Sequence, residues 1–472
     1  QREKIRADMA AKGLPEERFL ELPSFYQRDG VFYLPEDCRW ERLLSTDSAR
    51  LPLAIDEMTS SLDAAIASLR GALPTKLFTE SRIEGKTLKA LIDEINKISE
   101  ERFHEKDLIG RVYEYFLQAF SINADKEEGE FYTPHSIVEL ICELIEPYDG
   151  TIYDPCCGSG GMFVQASKFV EAHGGNTKAV QVYGQESQPE TYRLAKMNLA
   201  VRGISYNLGD TAASTFTNDQ HKTLKASYIM ANPPFNLKKW RTENELTTDV
   251  RWAGYGVPPV SNANYAWILH MLSKLSVLNG VAGFLLANGA LGDSDTYEIR
   301  RKLIENDKVE AIIILPREMF YSTDIGVTLW ILNQNKKGGS YHGRQLRNRE
   351  HEILFVDLRT WNQNSYEKKS VQFLPEQIQQ VAKIYHSWQG EGTDGASYAE
   401  PELYRSVGFD EIKQNDFSLV PSRYIEFVDR DKDIDYEKIM SDTASTVASL
   451  LKRQEANQEA LKHAFKELGY EF

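Results

Sequence analysis

The sequence contains little cysteine and no long apolar run. Its four cysteines among 472 residues are Cys38, Cys142, Cys156 and Cys157, and no two of them form a C-x-x-C pair. This usage argues against a structural zinc site and favours a reducing compartment, the cytoplasm. No apolar run approaches the roughly 18–20 residues of a membrane-spanning helix, and the charged start "QREKIRADMAAKG" lacks the apolar core of a signal peptide. We therefore expect neither a membrane protein nor a metal centre.

Positive charge is also scarce. The chain has 55 Lys and Arg against 70 Asp and Glu, which gives a net charge of −15. A protein that binds nucleic acid by itself is usually basic, because phosphate contacts supply much of its affinity. If this chain acts on DNA or RNA, we expect another subunit to supply much of the phosphate contact. The length exceeds what one hydrophobic core serves and indicates two or three domains.

The first 125 residues have a mostly helical pattern. Apolar residues recur at helical spacing in "IDEMTSSLDAAIASLRGAL" (55–73) and "DLIGRVYEYFLQAF" (107–120). The stretch "GVFYLP" (30–35) has the composition of a short strand. No residue in this region has an evident chemical task.

From residue 126 short apolar runs alternate with helical stretches. This pattern predicts a mostly parallel sheet that helices cover on both faces. The predicted strands are "TIYDP", "VQVYGQE", "ISYNLGD", "ASYIMANPP", "GVAGFLLA", "VEAIIILP", "GVTLWILN" and "EILFVDLRT". Only about ten residues without a helical pattern separate "VEAIIILP" from "GVTLWILN", so we expect the second of these two strands to run antiparallel. The basic stretch "NKKGGSYHGRQLRNR" (335–349) is predicted to be a solvated turn, with DNA contact as the alternative.

A glycine-rich turn follows the first predicted strand. The sequence "DPCCGSGGM" (154–162) places Asp154 at the strand end, then Pro155, Gly158, Ser159 and Gly160 before a helix. Glycines permit a tight turn and a close approach of the backbone to a ligand. The dinucleotide pattern G-x-G-x-x-G is absent, and the leading carboxylate suits a ligand that carries an ammonium group. Alone, such a turn is weak evidence of a binding site.

Two more carboxylates end the next two predicted strands. Glu186 can accept hydrogen bonds from both hydroxyls of a ribose, and Asp210 can accept one from the exocyclic amine of an adenine ring. Either residue alone is equally compatible with a surface position. Three acids at three successive strand ends, beside a glycine turn, together predict one adenosine-binding pocket.

The fourth predicted strand ends in the rigid turn Asn232, Pro233, Pro234 and Phe235. Amines on aromatic rings are poor nucleophiles, because their lone pair is delocalised into the ring. The Asn232 side chain and the Pro233 backbone offer two carbonyl acceptors that can hold the two N–H bonds of such an amine. The adjacent ring of Phe235 can stack on the base. This turn is predicted to be a clamp for an amino group, and a plain strand-ending proline turn is the alternative.

The segment "GEFYTPHSIVELICELI" (129–145) precedes the first strand. An aromatic pair that includes Tyr132, followed by Thr133, leads into an amphipathic helix with Pro134 near its first turn. From this place in the chain the segment can close over the predicted pocket.

Together these stretches resemble the N6-adenine DNA methyltransferases that use S-adenosylmethionine. More closely, they resemble the modification (M) subunits of type I restriction–modification systems. The similar stretches, in family order, are "GEFYTP", "DPCCGSGGM", "YGQE", "LGD", "NPPF", "NYAWILHML", "GVAGFLLANGALG" and "FYSTDIGVTLWIL". "NPPF" alone does not separate DNA methyltransferases from protein-glutamine methyltransferases, whereas "GEFYTP" and the length do. The "CC" after Asp-Pro departs from the small or aromatic residues usual in the family.

The resemblance implies a Rossmann-like methyltransferase domain at 126–360. It also implies a helical N-terminal domain at 1–125, an irregular or helical extension at 361–433, and a C-terminal helix at 434–472 for subunit contact. In the family the first carboxylate and its glycines bind the methionine part of S-adenosylmethionine, the second holds the ribose and the third meets the adenine.

The resemblance also assigns the substrate side of the site. It implies that the turn Asn232 to Phe235 binds a target adenine flipped out of double-stranded DNA. The aromatic pair Phe320 and Tyr321 is similar to the family segment that packs against this base. No covalent enzyme intermediate is expected.

The short C-terminal part of the chain indicates that partner subunits are needed to recognise DNA. Fewer than 140 residues follow "LWILN", which leaves little space for a domain that reads bases. This suits a subunit that relies on a separate specificity (S) protein to recognise the DNA sequence. The implied complex contains two M subunits and one S subunit, and a restriction (R) subunit can join it. Three alternatives stay open, namely a self-sufficient adenine methyltransferase, a protein-glutamine N5-methyltransferase and a non-catalytic scaffold.

The C-terminal helix has a narrow stripe of mostly apolar residues along one face. Its spacing of three and four residues is typical of a coiled-coil seam, although a helix packed on its own domain is an equal alternative. The stripe consists of Val447, Leu450, Gln454, Asn457, Leu461, Ala464 and Leu468.

Overall fold

The structure is a computed structural model of the chain. It describes residues 1–28, 31–81, 83–98, 112, 115, 133–320, 325–362, 371–428 and 436–468. The chain divides into two compact units, Gln1–Ile425 and Glu426–Phe472.

A ten-stranded sheet is the centre of the first unit. Its order is β11-β12-β10-β6-β7-β5-β4-β1-β2-β3, and β8 and β9 form a separate hairpin. The strands are β1 (Gly150–Asp154), β2 (Val180–Gly184), β3 (Tyr206–Asn207), β4 (Tyr228–Ala231), β5 (Val281–Ala287), β6 (Val309–Ile314), β7 (Val327–Asn333), β8 (Gly339–Tyr341), β9 (Arg344–Leu346), β10 (Glu352–Asp357), β11 (Ala399–Glu400) and β12 (Tyr404–Gly408).

The strand directions confirm the predicted α/β fold. Strands β3, β2, β1, β4 and β5 are mutually parallel, and β10 is parallel to β6. Strand β7 lies between β5 and β6 and runs antiparallel to both, as its short connection predicts. Strand β12 is antiparallel to β10 and extends the sheet at that edge.

Helices cover both faces of the sheet, which explains the continuous apolar runs of its strands. In β4 the side chains of Tyr228 and Met230 belong to one core cluster, and those of Ile229 and Ala231 belong to the other. Strand β4 therefore buries side chains on both faces of the sheet.

Most of the long helices of the first unit join one of these two clusters. The described helices are α1 (Arg2–Ala11), α2 (Glu17–Leu20), α3 (Pro23–Gln27), α4 (Trp40–Ser45), α5 (Leu51–Ala65), α6 (Leu77–Glu80), α7 (Gly85–Ile95), α8 (His135–Ile145), α9 (Gly161–Ala172), α10 (Pro189–Val201), α11 (Asn264–Lys274), α12 (Tyr297–Glu305), α13 (Pro375–Gln389), α14 (Phe409–Gln414) and α15 (Tyr436–Glu467). Buried apolar side chains of α8, α9, α10 and α13 belong to the first cluster, and buried apolar side chains of α11 and α12 belong to the second.

Two details differ from the sequence pattern. Residues 31–35 of "GVFYLP" have no regular structure, so the strand predicted there is wrong. The stretch 361–433 contributes β11 and β12 to the sheet, and the pattern predicts no strand there. Neither strand has a continuous apolar run, because β11 has only two residues and β12, which lies between β11 and β10, contains Arg405 and Ser406. The predicted helix at 107–120 lies outside the described residues, apart from Val112 and Tyr115.

The N-terminal region reaches the edge of the sheet at β3. The hydroxyl of Tyr206 donates to the carbonyl of Ser68, and the ammonium of Lys196 in α10 donates to the carbonyl of Arg70. Residues 68–70 therefore lie beside the edge strand.

The second unit contains one long helix, α15, of 32 residues. Its side chains are almost all exposed. None of the helices that the structure describes is both long enough and apolar enough to cross a lipid bilayer.

Candidate active site

The site lies where β1, β2 and β4 end. These neighbouring parallel strands have their carboxyl ends at the same edge of the sheet, the position at which open α/β sheets bind ligands. Asp154 is the last residue of β1 and pairs in register with Gly184 at the end of β2. Asn232 follows β4 directly.

The glycine turn after β1 adopts the left-handed backbone conformations that its glycines permit. Gly158 has φ +52° and Gly160 has φ +81°, a region that side chains other than glycine rarely adopt. A side-chain carbon at Gly158 would have open space around it, which leaves the backbone accessible from the cleft. The side-chain amide of Asn198 in α10 donates to the carbonyl of Ser159 at 2.7 Å, and this hydrogen bond fixes the turn to α10.

Asp154 is almost fully buried, with 1% of its surface exposed. Its carboxylate accepts a hydrogen bond of 3.0 Å from the backbone amide of Cys156. Burial, opposed by the hydrogen bond from Cys156 and assisted by the charge of Glu186, raises the pKa of the Asp154 carboxyl from 3.8 to about 7. A ligand that brings a positive charge to this carboxylate would stabilise its charged form.

Glu186 is also buried, and its carboxylate belongs to the loop scaffold. One oxygen accepts from the amide of Gly158 at 3.0 Å, and the other accepts from the amide of Gln188 at 2.8 Å. The side chain thus joins the loop after β2 to the glycine turn after β1.

Replacing Glu186 with alanine should weaken S-adenosylmethionine binding roughly tenfold or more. The variant loses the proposed charge-assisted hydrogen bonds from the ribose hydroxyls, and bonds of this kind contribute about 1.5–3 kcal/mol to binding. It also loses the hydrogen bond that fixes the amide of Gly158. Calorimetric titration would measure the change. Glu190→Ala, at an exposed glutamate on α10, is the matched control. Unchanged affinity in the Glu186 variant would exclude this residue from the pocket.

Asp210 stands apart from the other two carboxylates. It is exposed, and it lies three residues beyond the two-residue strand β3. The Gln220 side chain fixes its backbone by accepting from the amides of Asp210 and Thr211. The predicted cofactor residues Pro155, Gly160, Glu186 and Asp210 are not among the residues that line the cleft. The contacts of Glu186 with a ribose and of Asp210 with an adenine ring therefore stay predictions.

A cleft of about 690 Å³ opens over the glycine turn. It brings together the predicted residues Asp154, Gly158, Ser159, Thr133 and Asn232. The polar cleft residues His135, Gln165 and Asn198 are not among the residues predicted from the sequence. A signal existed for Asn198, because it is a polar residue on the buried face of α10. The full lining is Thr133, His135, Val138, Asp154, Cys156, Cys157, Gly158, Ser159, Gly161, Met162, Val164, Gln165, Asn198 and Asn232.

The clamp turn presents a hydrogen-bond acceptor without a partner. Asn232 donates from Nδ2 to the hydroxyl oxygen of Thr133 at 3.0 Å. Its Oδ1 atom is buried, and no hydrogen bond to it forms among the residues that the structure describes. A buried carbonyl of this kind costs about 1–3 kcal/mol, which a ligand N–H would recover.

Three asparagines fix the chain directly after the clamp. The side-chain oxygen of Asn236 accepts from Asn262 at 3.1 Å and from Asn264 at 2.9 Å, while its backbone amide donates to Asn264. Asn236 has φ +55°, a conformation that asparagine tolerates better than most residues. The rigidity predicted from the prolines therefore has a second source, in the side chains at the start of α11.

The aromatic residues of the site are only partly described. The ring of Phe235 meets that of Phe320 edge to face, with centroids 5.8 Å apart. Phe320 is buried. Tyr132 and Tyr321 lie outside the described residues, so their predicted roles stay predictions.

The basic stretch 335–349 is more than the solvated turn that its sequence predicts. It contains the β8–β9 hairpin, and all five of its Lys and Arg side chains pair with carboxylates of the same unit. The pairs are Lys336–Asp307, Lys337–Glu350, Arg344–Glu146, Arg347–Glu352 and Arg349–Glu310. The last pair is fully buried and supports the fold, whereas DNA contact by this stretch stays a prediction.

Comparison with known proteins decides the family. The model of the N-6 DNA methylase family matches residues 104–433. The chain belongs to the N-6 DNA methylases. It is 42% identical over 375 residues to the type I restriction enzyme HindI methylase subunit of Haemophilus influenzae, covering 78% of this chain and 79% of that protein. It is 32% identical over 464 residues to the MjaIX methylase subunit of Methanocaldococcus jannaschii, covering 96% and 80%.

The fold agrees with this family. The type I restriction–modification methyltransferase subunit from Streptococcus thermophilus superposes with a TM-score of 0.67 at 22% identity, over 84% of this chain and 82% of that one. The predicted membership among type I modification subunits is thereby confirmed, as are the methyltransferase fold and the activity class, adenine-specific DNA methyltransferase.

The cofactor of the N-6 DNA methylases is S-adenosylmethionine, and the residues of the cleft fit it. The buried carboxylate of Asp154 suits its ammonium group, and the open backbone at Gly158 permits a close approach. Within the described ranges no cluster of three or more metal-ligating side chains occurs. Whether Glu186 meets the ribose is the subject of the titration proposed above.

Proposed function

We propose that this chain transfers a methyl group from S-adenosylmethionine to N6 of an adenine flipped out of double-stranded DNA, as the modification subunit of a type I complex. The observation that carries the proposal is the buried, unpartnered Oδ1 of Asn232 at the edge of the cleft. An acceptor in this state suits an N–H donor brought by a substrate.

The residues of the clamp make the adenine amine reactive. Asn232 Oδ1 and the Pro233 carbonyl accept hydrogen bonds from the two N–H groups of this amine. The lone pair of the amine nitrogen is then kept from delocalising into the adenine ring. S-adenosylmethionine, when bound, supplies a methyl made electrophilic by a positive sulfur. The chain's contribution is positioning and electrostatics, with no covalent enzyme intermediate. Phe235 and Phe320 offer aromatic surface to the flipped base, and the amine's extra proton leaves to water.

On the cofactor side, Asp154 would hold the ammonium group, Glu186 the ribose and Asp210 the adenine ring. Pro155, Gly158, Ser159 and Gly160 would line the methionine part. Tyr132 would close over it together with Thr133. The burial of Asp154 and Glu186 and the cleft above the turn support these assignments.

Incubation with labelled S-adenosylmethionine separates this proposal from its rivals. Unmethylated DNA should acquire label in the presence of the specificity subunit, whereas protein should not. Label on a protein glutamine would favour the glutamine methyltransferase. Cofactor binding without any label transfer would favour a non-catalytic scaffold.

The assembly proposed is two copies of this chain with one specificity subunit on DNA, joined in some systems by a restriction subunit. The four cysteines are free thiols, which supports a cytoplasmic location. Helix α15 supports the subunit contact, because the large apolar side chains of its stripe are exposed. Their exposed fractions are 48% for Val447, 55% for Leu450, 53% for Leu461 and 72% for Leu468.

Truncation before residue 436 should leave a folded protein that binds S-adenosylmethionine and no longer co-purifies with the specificity subunit. The first unit ends at Ile425, so its core stays intact. Leu450→Asp should weaken co-purification in the same way, because it places a charge on the stripe. Ser449→Asp is the control, since Ser449 is also exposed and lies on the face of α15 away from the stripe. Retained co-purification of the truncated chain would place the contact elsewhere.

The isolated chain should bind DNA weakly, without sequence preference and with strong salt dependence. Flipping a base costs a few kcal/mol, and a chain of net charge −15 makes too few phosphate contacts to offset that cost. The internal pairing of the cations in 335–349 reduces those contacts further. In "LKKWR" (237–241), Arg241 is buried and donates to backbone carbonyls, while Lys238 and Lys239 are exposed.

Fluorescence titration on many duplexes at physiological salt would measure this binding. The same titration with the specificity subunit present should give tight, sequence-specific binding. Nanomolar, sequence-specific binding by the isolated chain would instead identify a self-sufficient methyltransferase.

A further inference from the structure

We propose that Thr133 is a positioning residue for the clamp: its hydroxyl oxygen holds the side-chain amide of Asn232 in the orientation that presents Oδ1 to the target amine. This inference rests on the proposed function, because it concerns how Asn232 is made ready for its substrate. It gives Thr133 a task on the substrate side of the site, in addition to its place in the lining of the cleft.

The two ends of an asparagine amide have nearly the same shape and opposite hydrogen-bonding character. Rotation by a half turn would exchange Oδ1 and Nδ2, and the clamp would then present donors to an amine that is itself a donor. Such a rotated amide cannot hold the substrate. The clamp therefore needs something that distinguishes the two ends of the Asn232 side chain.

In the structure Thr133 takes the acceptor role towards this amide, and we infer that this role selects the orientation of the amide. Oγ1 of Thr133 lies 3.0 Å from Nδ2 of Asn232, at the end of the amide away from the unpartnered Oδ1. A hydroxyl oxygen accepts readily from an amide N–H, and the bond leaves Oδ1 as the acceptor that remains for the substrate. The residues are 99 positions apart, so the bond also joins the segment before β1 to the turn after β4.

The backbone of Thr133 is well placed to hold this bond. It precedes Pro134, whose carbonyl accepts from the amides of Ile137 and Val138 in the first turn of α8. Eight residues of α8 are buried, and the hydroxyl of Ser136 accepts from the amide of Phe373 at 3.2 Å. A fixed helix start therefore carries the hydroxyl, which is what a preorganised site requires.

The test uses the full chain in complex with its specificity subunit and compares Thr133→Val with Thr133→Ser. Valine keeps the shape and removes the acceptor, whereas serine keeps the acceptor. We expect T133V to lower kcat for methyl transfer, measured at saturating S-adenosylmethionine, at least about tenfold. T133S should stay within about threefold of the native kcat. Equal kcat for T133V and the native chain, or a T133V loss that serine does not restore, would overturn the inference.

A second measurement separates orientation of Asn232 from general damage to the site. A duplex with 2-aminopurine at the target position reports base flipping by fluorescence, and this base has no amine at its 6-position. Its flipping should be the same in T133V and the native complex. Loss of the fluorescence signal, or a weaker cofactor Kd that accounts for the lower rate, would assign Thr133 a purely structural or cofactor-binding role.

Asn232→Ala, measured alongside, distinguishes the two levels of the proposal. If N232A transfers methyl groups at the native rate, the proposed function of the clamp fails. If N232A is inactive and T133V is fully active, only the role of Thr133 fails.

Discussion

Asn232→Ala should reduce methyl transfer to DNA by at least about 100-fold. The variant removes one of the two preorganised acceptors for the target amine, and removal of one such polar contact typically lowers kcat by 10²–10³. The free Oδ1 of Asn232 gives this expectation its structural basis, because no described residue uses that atom for the fold. Single-turnover transfer of labelled methyl groups, in complex with the specificity subunit, would measure the loss.

The affinity for S-adenosylmethionine provides the internal control for this variant. It should hardly change, because the Asn232 amide is proposed to face the target amine, and among the described residues its hydrogen bond is to Thr133. Asn279→Ala is a matched substitution at an exposed asparagine just before β5, at the opposite end of the strands, and it should leave the rate unchanged. Native-rate transfer by N232A would show that the site assignment is wrong.

Asp154→Asn should almost abolish S-adenosylmethionine binding and at the same time stabilise the fold at alkaline pH. The pKa of Asp154 is raised by burial from 3.8 to about 7. The folded state thus binds this proton more tightly than the unfolded state, and the stabilisation from the protonated form is present at low pH and lost as pH rises through 7. A difference of about three pKa units between the folded and unfolded states corresponds to at most roughly 4 kcal/mol in the free energy of unfolding. Asparagine keeps an acceptor for the Cys156 amide and carries no charge to bury.

Two pH series check this prediction. In the native chain the affinity for S-adenosylmethionine should fall as pH decreases below about 7, because the ammonium group requires the charged carboxylate. Thermal unfolding at pH 8 should show a higher Tm for D154N than for the native chain, and the difference should shrink towards pH 5. Asp149→Asn, at an exposed aspartate just before β1, should alter neither series. A native chain whose cofactor affinity is independent of pH would contradict the role of Asp154.

The central strands and the strand-end residues were predictable because they obey local rules. A parallel strand buried on both faces has a continuous apolar run, and its last residue necessarily lies at the ligand edge. For this reason Asp154 and Asn232 lie together in the structure as the sequence predicts. The antiparallel direction of β7 followed from the length of one connection.

Other features depend on residues distant in sequence, and local patterns do not reveal them. The cations at 335–349 appear solvated because their carboxylate partners, such as Glu146 and Glu310, belong to other elements. Asp210 lies beyond a strand of only two residues, so counting from the apolar run misplaces it relative to the cleft. The bond between Thr133 and Asn232 likewise requires the folded chain.

The edges of the sheet bear on how copies of this chain can associate. Its two outermost strands, β3 and β11, contain two residues each, and the N-terminal region lies beside β3. So short an edge offers few backbone donors and acceptors to an incoming strand, which limits aggregation by strand addition. In the assembly proposed above, several copies of this chain at high local concentration would therefore not extend their sheets into fibres. Subunit contacts in such a complex would depend on side chains, which point mutations can change one at a time.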